Sequence, residues 1–370
     1  MNRSTPTGQI TPLQTQAIVI SSIVGIGVLT FPTYMAQAAD SGGPLVTLLG
    51  IVFSCISLIP LSLVGRRFPK ENIVVYSGKL IGKWPTLLFC FTLILMFLLV
   101  TGGIVRETAE AISLIVLPRT PPEITAIMLL SLTALSARRN IIKFSYIHTF
   151  YLPFILVPGL IILIGSLRNA DYLNLLPFTG IHPKNVISGA LTIMGLFQVS
   201  FILAMVIPHM SKPQKALNCS FWSIACAGAL YLFIVTASTA VFGAEEMKEM
   251  VYPTLELARS SSISVSGLQR VDGIFIIVWV LTVFTTLIST YYISLYLIGR
   301  IFDLQDHRML ATFLIPFVFI VSLIPQDFFQ LYDSMNLISI VGLCLTFGYP
   351  LLLYIISFIQ KGVRGNETTG

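Results

Sequence analysis

The sequence predicts an all-α integral membrane protein of about ten transmembrane helices. They are arranged as two inverted halves of five, with the first and sixth helices broken. Three observations predict it. Charged residues make up 10% of the 370-residue chain and hydrophobic residues 55%, whereas soluble domains carry roughly 25% charge. Hydrophobic segments long enough to cross a bilayer recur along its whole length. The first of these contains Gly25-Ile26-Gly27 followed by Pro32, poor material for an unbroken helix.

In chain order the spans are read at 12–39, 43–65, 85–117, 121–138, 144–166, 186–208, 216–243, 268–299, 309–325 and 333–360. The first apolar segment is full length and lacks a small-residue cleavage site, so it reads as a span and not as a cleavable signal. Between spans two and three, Ile73, Val74, Val75, Tyr76, Leu80 and Ile81 lie among basic residues, a pattern that predicts a short helix along the membrane surface. Ten spans divide into repeats at about 12–166 and 186–360 of one transmembrane domain covering 1–370. An odd number of spans per half makes the second half enter from the opposite face, the inverted-repeat architecture of many secondary transporters. Span six is then the symmetry mate of span one and is expected to break near Gly195, with Gln198 and Ser200 just after.

Lysine and arginine set the orientation. With the N-terminus inside, the inner loops hold Arg66, Arg67, Lys70, Lys79 and Lys83, then Arg138, Arg139 and Lys143, then Lys212 and Lys215, Arg300 and Arg308, Lys361 and Arg364. The outer loops hold scattered bases and the acidic group Glu245, Glu246 and Glu249. Both termini are therefore expected in the cytoplasm. The net charge of +6 lies in short loops, which argues for the lipid bilayer as partner and against nucleic acid.

A helix broken inside a membrane survives only beside a protein-lined cavity. The break exposes N-terminal amides of one half-helix, suited to a carboxylate, and C-terminal carbonyls of the other, suited to an ammonium group or cation. The alternative is close helix packing through small residues, with Pro32 as a plain kink. In span three, Arg106 and Glu110 are four residues apart and share a helix face. They form either a register-fixing ion pair or a charged gate. Glu107 points about 100° away from Arg106 and is expected in the outer vestibule or paired with another span. Span eight carries the hydroxyl stripe Thr282, Thr285, Thr286 and Ser289, a pattern more often bonded to its own backbone carbonyls than to a ligand.

Catalytic and metal chemistry find no support. The histidines His148, His182, His209 and His307 fall on separate loops or span ends, without metal-ligand spacing. The five cysteines form no C-x-x-C. Ser260–Ser262 lacks a G-x-S-x-G frame, and no Walker A loop is present. The expectation is a protein that is not an enzyme and needs no cofactor.

Gly25-Ile26-Gly27-Val28-Leu29-Thr30-Phe31-Pro32 resembles the G-x-G-I-x-x-x-P stretch of permeases in the amino acid–polyamine–organocation superfamily. The whole chain resembles the spore-germination permease family, the B subunit of nutrient germinant receptors. The resemblance is carried by that first-span motif, then by Arg106-x-x-x-Glu110 before Arg119-Thr120-Pro121, and by Pro208-His209-Met210 leading into Lys212 and Lys215. Tyr252-Pro253-Thr254 follows, then Arg270-Val271-Asp272 before Trp279 and Phe284-Thr285-Thr286. Glu107 departs from the pattern as an added acid.

The resemblance implies a LeuT-like fold with spans one, three, six and eight around a central site. It also implies assembly with A-type and C-type receptor subunits in the inner membrane of a bacterial spore. The ligand-binding candidates are then Ile23, Val24, Gly25, Ile26, Gly27, Phe97, Thr101, Gly195, Phe197, Ser200, Thr285 and Thr286. Tyr291 and Tyr292 are further candidates whose default role is packing. Arg106, Glu107 and Glu110 form the gate or ion-pair group. The implied ligand is a small nutrient such as an amino acid. The alternative function is a stand-alone amino-acid symporter coupled to a cation or to protons.

Overall fold

The computed structural model describes residues 8–25, 27–177, 183–260, 271–304, 306 and 308–367. Its first helix, α1 (Pro12–Ile23), starts in a capping box. Thr11 Oγ1 accepts from the Gln14 amide at 3.3 Å, the Gln14 side chain accepts from the Thr11 amide at 2.9 Å, and Pro12 fills the first helical position. The chain then leaves the helix and re-enters it as α2 (Phe31–Ala39), with Pro32 in the first turn. Next come α3 (Gly43–Arg67), α4 (Ile73–Ile81), α5 (Lys83–Ile115), α6 (Pro122–Ala137) and α7 (Ile141–Ser166). The second half holds α8 (Pro183–Phe197), α9 (Leu203–Val206), α10 (Ala216–Glu249), α11 (Pro253–Ser260) and α12 (Val271–Ile301). It closes with α13 (Arg308–Phe313), α14 (Ile315–Leu323), α15 (Phe328–Leu343) and α16 (Tyr349–Glu367).

Among the described residues, seven segments are long and apolar enough to cross a membrane by length and composition. One of them, Phe31–Arg67, joins α2 to α3, and α6 and the Arg308–Leu323 pair are shorter apolar helices. The surface helix expected between spans two and three is α4. Asn72 caps it, and it buries Ile73, Tyr76 and Leu80 while packing on α5 and α16.

The sixth span departs from the expectation of an unwound segment at Gly195. Gly195 stays within α8, and the helix tightens to a 3₁₀ turn over Gln198–Ile202 before α9. The flanking Phe197 and Leu203 keep right-handed helical dihedrals. The interruption is therefore a change of hydrogen-bond register, which leaves fewer backbone groups open than an extended break does.

α1 runs through the middle of the bundle, with every residue from Ala17 to Ile23 buried. It packs on α7, α10, α12 and the 3₁₀ turn after α8. Buried hydroxyls tie it down. Ser22 Oγ lies 2.6 Å from Ser289 Oγ on α12, and Ser21 Oγ lies 2.5 Å from His148 Nδ1 on α7. His148 is thus fully buried inside a helix and not at a loop or span end as its sequence position suggested. Below α1, the Ile10 amide donates to the His209 carbonyl at 2.8 Å, and the Ser211 amide donates to the Ile10 carbonyl at 2.9 Å. These two bonds fasten the start of span one to the end of span six.

Candidate ligand site at the broken first helix

The break spans Val24 to Thr30, and Gly27 sits at its turning point with φ 63°, a left-handed conformation that side chains disfavour. The Gly27 carbonyl accepts from the Thr30 amide at 3.1 Å and the Phe31 amide at 2.7 Å, which starts α2. Gly25 serves a different purpose. A Cβ there would collide with Thr286 Oγ1 and sit 2.5 Å from the Thr282 carbonyl. The glycine lets α12 approach the backbone of α1.

Sequence reasoning left the break's carbonyls free for a ligand or cation, but the protein itself uses several of them. Ile23 O accepts from the Tyr231 hydroxyl at 3.2 Å, Val28 O from Thr254 Oγ1 at 2.6 Å, and Leu29 O from the Thr254 amide at 3.4 Å. Thr285 Oγ1 bonds Ser21 O at 2.8 Å. The amides of Gly27, Val28 and Leu29 donate no hydrogen bond among the described residues. The break therefore presents donors.

Gly27 brings one of those donors to a cavity of about 90 Å³. Gly27, Thr30 and Tyr34 line it from the break and α2, and Val100 and Glu107 from α5. Thr192, Gly195 and Leu196 line it from α8, Gln198 from the turn that follows, and Leu331, Tyr332, Met335, Asn336 and Ser339 from α15. A second cavity of about 320 Å³ shares Tyr34, Thr192, Tyr332, Asn336 and Ser339 with the first. The rings of Tyr34 and Tyr332 stack between the two, 4.4 Å apart at 22°.

Two polar groups in the inner cavity lack a full set of partners. Glu107 is only partly exposed, and its free surface faces the cavity it lines. Thr30 Oγ1 donates to Glu107 Oε1 at 3.4 Å, and no cation pairs with it among the described residues. The neighbouring Arg106 is taken by Glu110, Nε to Oε1 at 2.7 Å. Gln198 is buried with no partner for Oε1, a costly arrangement at membrane depth unless water or ligand completes it. Tyr252, in the loop before α11, also faces this acidic corner. Burial first, then the carboxylates of Glu107 and Glu110, push its phenol above the usual tyrosine range.

The sequence-derived candidates divide. Gly27, Gly195 and Glu107 meet in the inner cavity. Val24 lines a separate apolar pocket with Val28, Trp279 and Thr282. Thr101 bonds Phe97 O at 2.7 Å and Thr290 Oγ1 at 2.9 Å, and Phe97 stacks on Phe201. Phe197 packs 5.7 Å from the Tyr231 ring, and Ser200 is buried in the 3₁₀ turn. Thr285 and Thr286 bond Thr282 O, and Ile23 binds Tyr231. Tyr291 donates to Ala311 O, and Tyr292 packs on Phe144. Ile26 lies outside the described residues. Sequence reasoning missed the α15 face. Its signal was Asn336 and Ser339 in an apolar span, spaced with Tyr332 along one side of a helix. Among the described residues, no group of three histidine, cysteine or acidic side chains forms a metal site.

With this geometry in place, comparison with known proteins is informative. Residues 9–330 match the Spore_permease family, described as spore germination protein. The chain belongs to the spore germination permease family. Spore germination protein YndE of Bacillus subtilis is 25% identical over 98% of this chain and 99% of the relative. Spore germination protein A2 of Bacillus subtilis is 23% identical over 94% of this chain and 95% of the relative. GerLB of Bacillus cereus is also 23% identical, over 95% and 94%. This permease shares its fold with solved transporters of the LeuT type. Mhp1, a nucleobase-cation-symport-1 family transporter, has a TM-score of 0.70 at 14% identity, covering 96% of this chain and 84% of Mhp1. MhsT in complex with L-phenylalanine has a TM-score of 0.67 at 14% identity, covering 92% and 87%. The LeuT-like, all-helical membrane architecture read from the sequence is the one found.

Proposed function

We propose that this permease is the ligand-sensing membrane subunit of a nutrient germinant receptor. A small nutrient, such as an amino acid, occupies the cavity at the broken first helix and biases the conformation of a larger assembly. The observation that carries the reading is a cavity that holds, among the described residues, the open amide of Gly27, a carboxyl without a cation and an unpartnered amide side chain, inside a spore germination permease. In this reading the partners are A-type and C-type subunits, the site is the inner membrane of the spore, and both termini face the cytoplasm. The ligand needs only to prefer one conformation, by about 5.5 kcal/mol for a nearly complete switch. The test is twofold. Spores lacking the gene lose their germination response to at least one amino acid and regain it on complementation. The purified chain in liposomes binds that radiolabelled amino acid without accumulating it. Accumulation driven by a sodium or proton gradient would replace the sensor reading with a symporter.

A further inference from the structure

We infer that the ligand of this cavity carries an ammonium group and that Glu107 is the residue that holds it. The inference deepens the proposed function, because it names the chemistry that the same site selects. A break in a membrane helix ordinarily offers an ammonium group its C-terminal carbonyls. Here Ile23, Gly27, Val28 and Leu29 already accept hydrogen bonds from Tyr231, Thr254 and the start of α2. The carbonyls of Val24 and Gly25 are the remaining ones on either side of Ile26, and neither residue lines this cavity, so the positive end of a ligand there finds its acceptors elsewhere.

The cavity supplies them. Its lining contains one acid and no lysine, arginine or histidine. Arg106 is held by Glu110. Among the described residues, the Glu107 carboxyl receives one hydrogen bond, from Thr30 at 3.4 Å. Gln198 Oε1 adds a second acceptor with no protein partner. Tyr34 stands beside both Glu107 and Thr30, and its ring stacks on Tyr332 at the mouth of the cavity. Aromatic faces around a carboxylate are the surroundings that suit an organic cation. A carboxyl at this depth is costly to hold without a counter-charge, and an ammonium ligand supplies the charge the site lacks. A bare carboxylate ligand would meet Glu107 as a like charge. A zwitterion fits as well, its carboxylate reaching the open amide of Gly27.

The experiment uses matched probes on the purified full-length chain. Isobutylamine and 3-methylbutanoate are L-valine without its carboxylate and without its amine, and ethylamine and propionate relate to L-alanine in the same way. Binding is read by thermal stabilisation at fixed pH and ionic strength. The expected result is stabilisation by ammonium-bearing probes and none by the two carboxylates. Glu107→Gln is expected to weaken the ammonium-bearing probes at least tenfold, Glu107→Asp to retain part of the affinity, and Tyr34→Leu to weaken the amines. Three outcomes overturn the inference: a carboxylate that binds as well as its amine, equal affinity of wild type and Glu107→Gln, or no binding by any ammonium probe to folded wild type. The readout is separate from germination. Glu107-dependent binding in a chain whose loss leaves spores fully responsive would sink the receptor reading and leave this inference standing.

Discussion

Replacing Gly25 and Gly27 with alanine separates the two jobs that the first-helix glycines perform. At Gly25 the added Cβ meets Thr286 Oγ1 and comes within 2.5 Å of the Thr282 carbonyl oxygen and 2.9 Å of its carbon. A side-chain hydroxyl can rotate away, but the backbone of α12 cannot move without shifting the helix. Overpacking of a close-packed interior costs about 1–3 kcal/mol, and a backbone obstacle puts Gly25→Ala near the top, about 3 kcal/mol. At Gly27 the nearest atom to the new Cβ is Leu196 Cδ2 at 3.4 Å, an ordinary contact. The cost there is the left-handed conformation alone, about 1–2 kcal/mol. The gain from a stiffer unfolded chain applies equally to both and cancels in the comparison. Thermal unfolding of the two purified variants in one detergent should therefore rank Gly25→Ala as the less stable. Ligand affinity should rank them the other way, because Gly27 lines the cavity and Gly25 does not. Adding Thr286→Ala to Gly25→Ala should recover little, since the Thr282 carbonyl stays in place. Wild-type stability in Gly25→Ala, or full rescue by Thr286→Ala, would refute the close-approach argument.

Three further outcomes follow from the same contacts. Thr254→Val removes the 2.6 Å bond to Val28 O and should cost about 1–3 kcal/mol by leaving a buried carbonyl unpaired. Hydrogen exchange should speed up at the bonded amides of Thr30 and Phe31, while unchanged exchange there would mean that Thr254 does not hold the break. Arg106→Ala should reduce membrane abundance more than the double change with Glu110→Ala, because removing one partner strands the other; a double variant as scarce as the single would count against a direct pair. Ligand affinity should not change when sodium is replaced by potassium at fixed ionic strength, nor in Thr286→Ala, whose hydroxyl bonds Thr282 O. A sodium-dependent affinity lost in Thr286→Ala would instead place a coupled cation between α1 and α12.

The sequence made the membrane class and the first break legible because both rest on strong local signals. Apolar runs of bilayer length have few other uses, and Gly25, Gly27 and Pro32 weaken a helix wherever they occur. The surface helix α4 was legible from its apolar spacing between basic residues. The sixth-span interruption was not legible in detail, because a single glycine is tolerated in a packed helix. Gly195 is there to admit Ser339, whose Oγ a Cβ would meet. The hydroxyls of α12 read as backbone partners more readily than as ligand groups, and the structure shows them bonded to their own helix, with Thr285 and Ser289 also reaching α1. The α15 wall was invisible for another reason. Span ten was read from residue 333, while α15 begins at Phe328, so Leu331 and Tyr332 fell outside it. Glu107 drew notice as an added acid, but its neighbours Thr30, Tyr34 and Tyr252 come from segments distant in the chain.

The central claim is that the ligand sits between the break, α5, α8 and α15, and not between α1 and α12. Single cysteines at Asn336 and at Thr285, in a background whose five native cysteines are replaced by serine, test it most directly. Membranes are treated with a small methanethiosulfonate reagent with and without the amino acid that triggers the response. The account predicts that Asn336→Cys reacts and is protected by the amino acid, while Thr285→Cys, fully buried against Ser21, stays unreactive. Reaction and protection at Thr285→Cys with none at Asn336→Cys would contradict it.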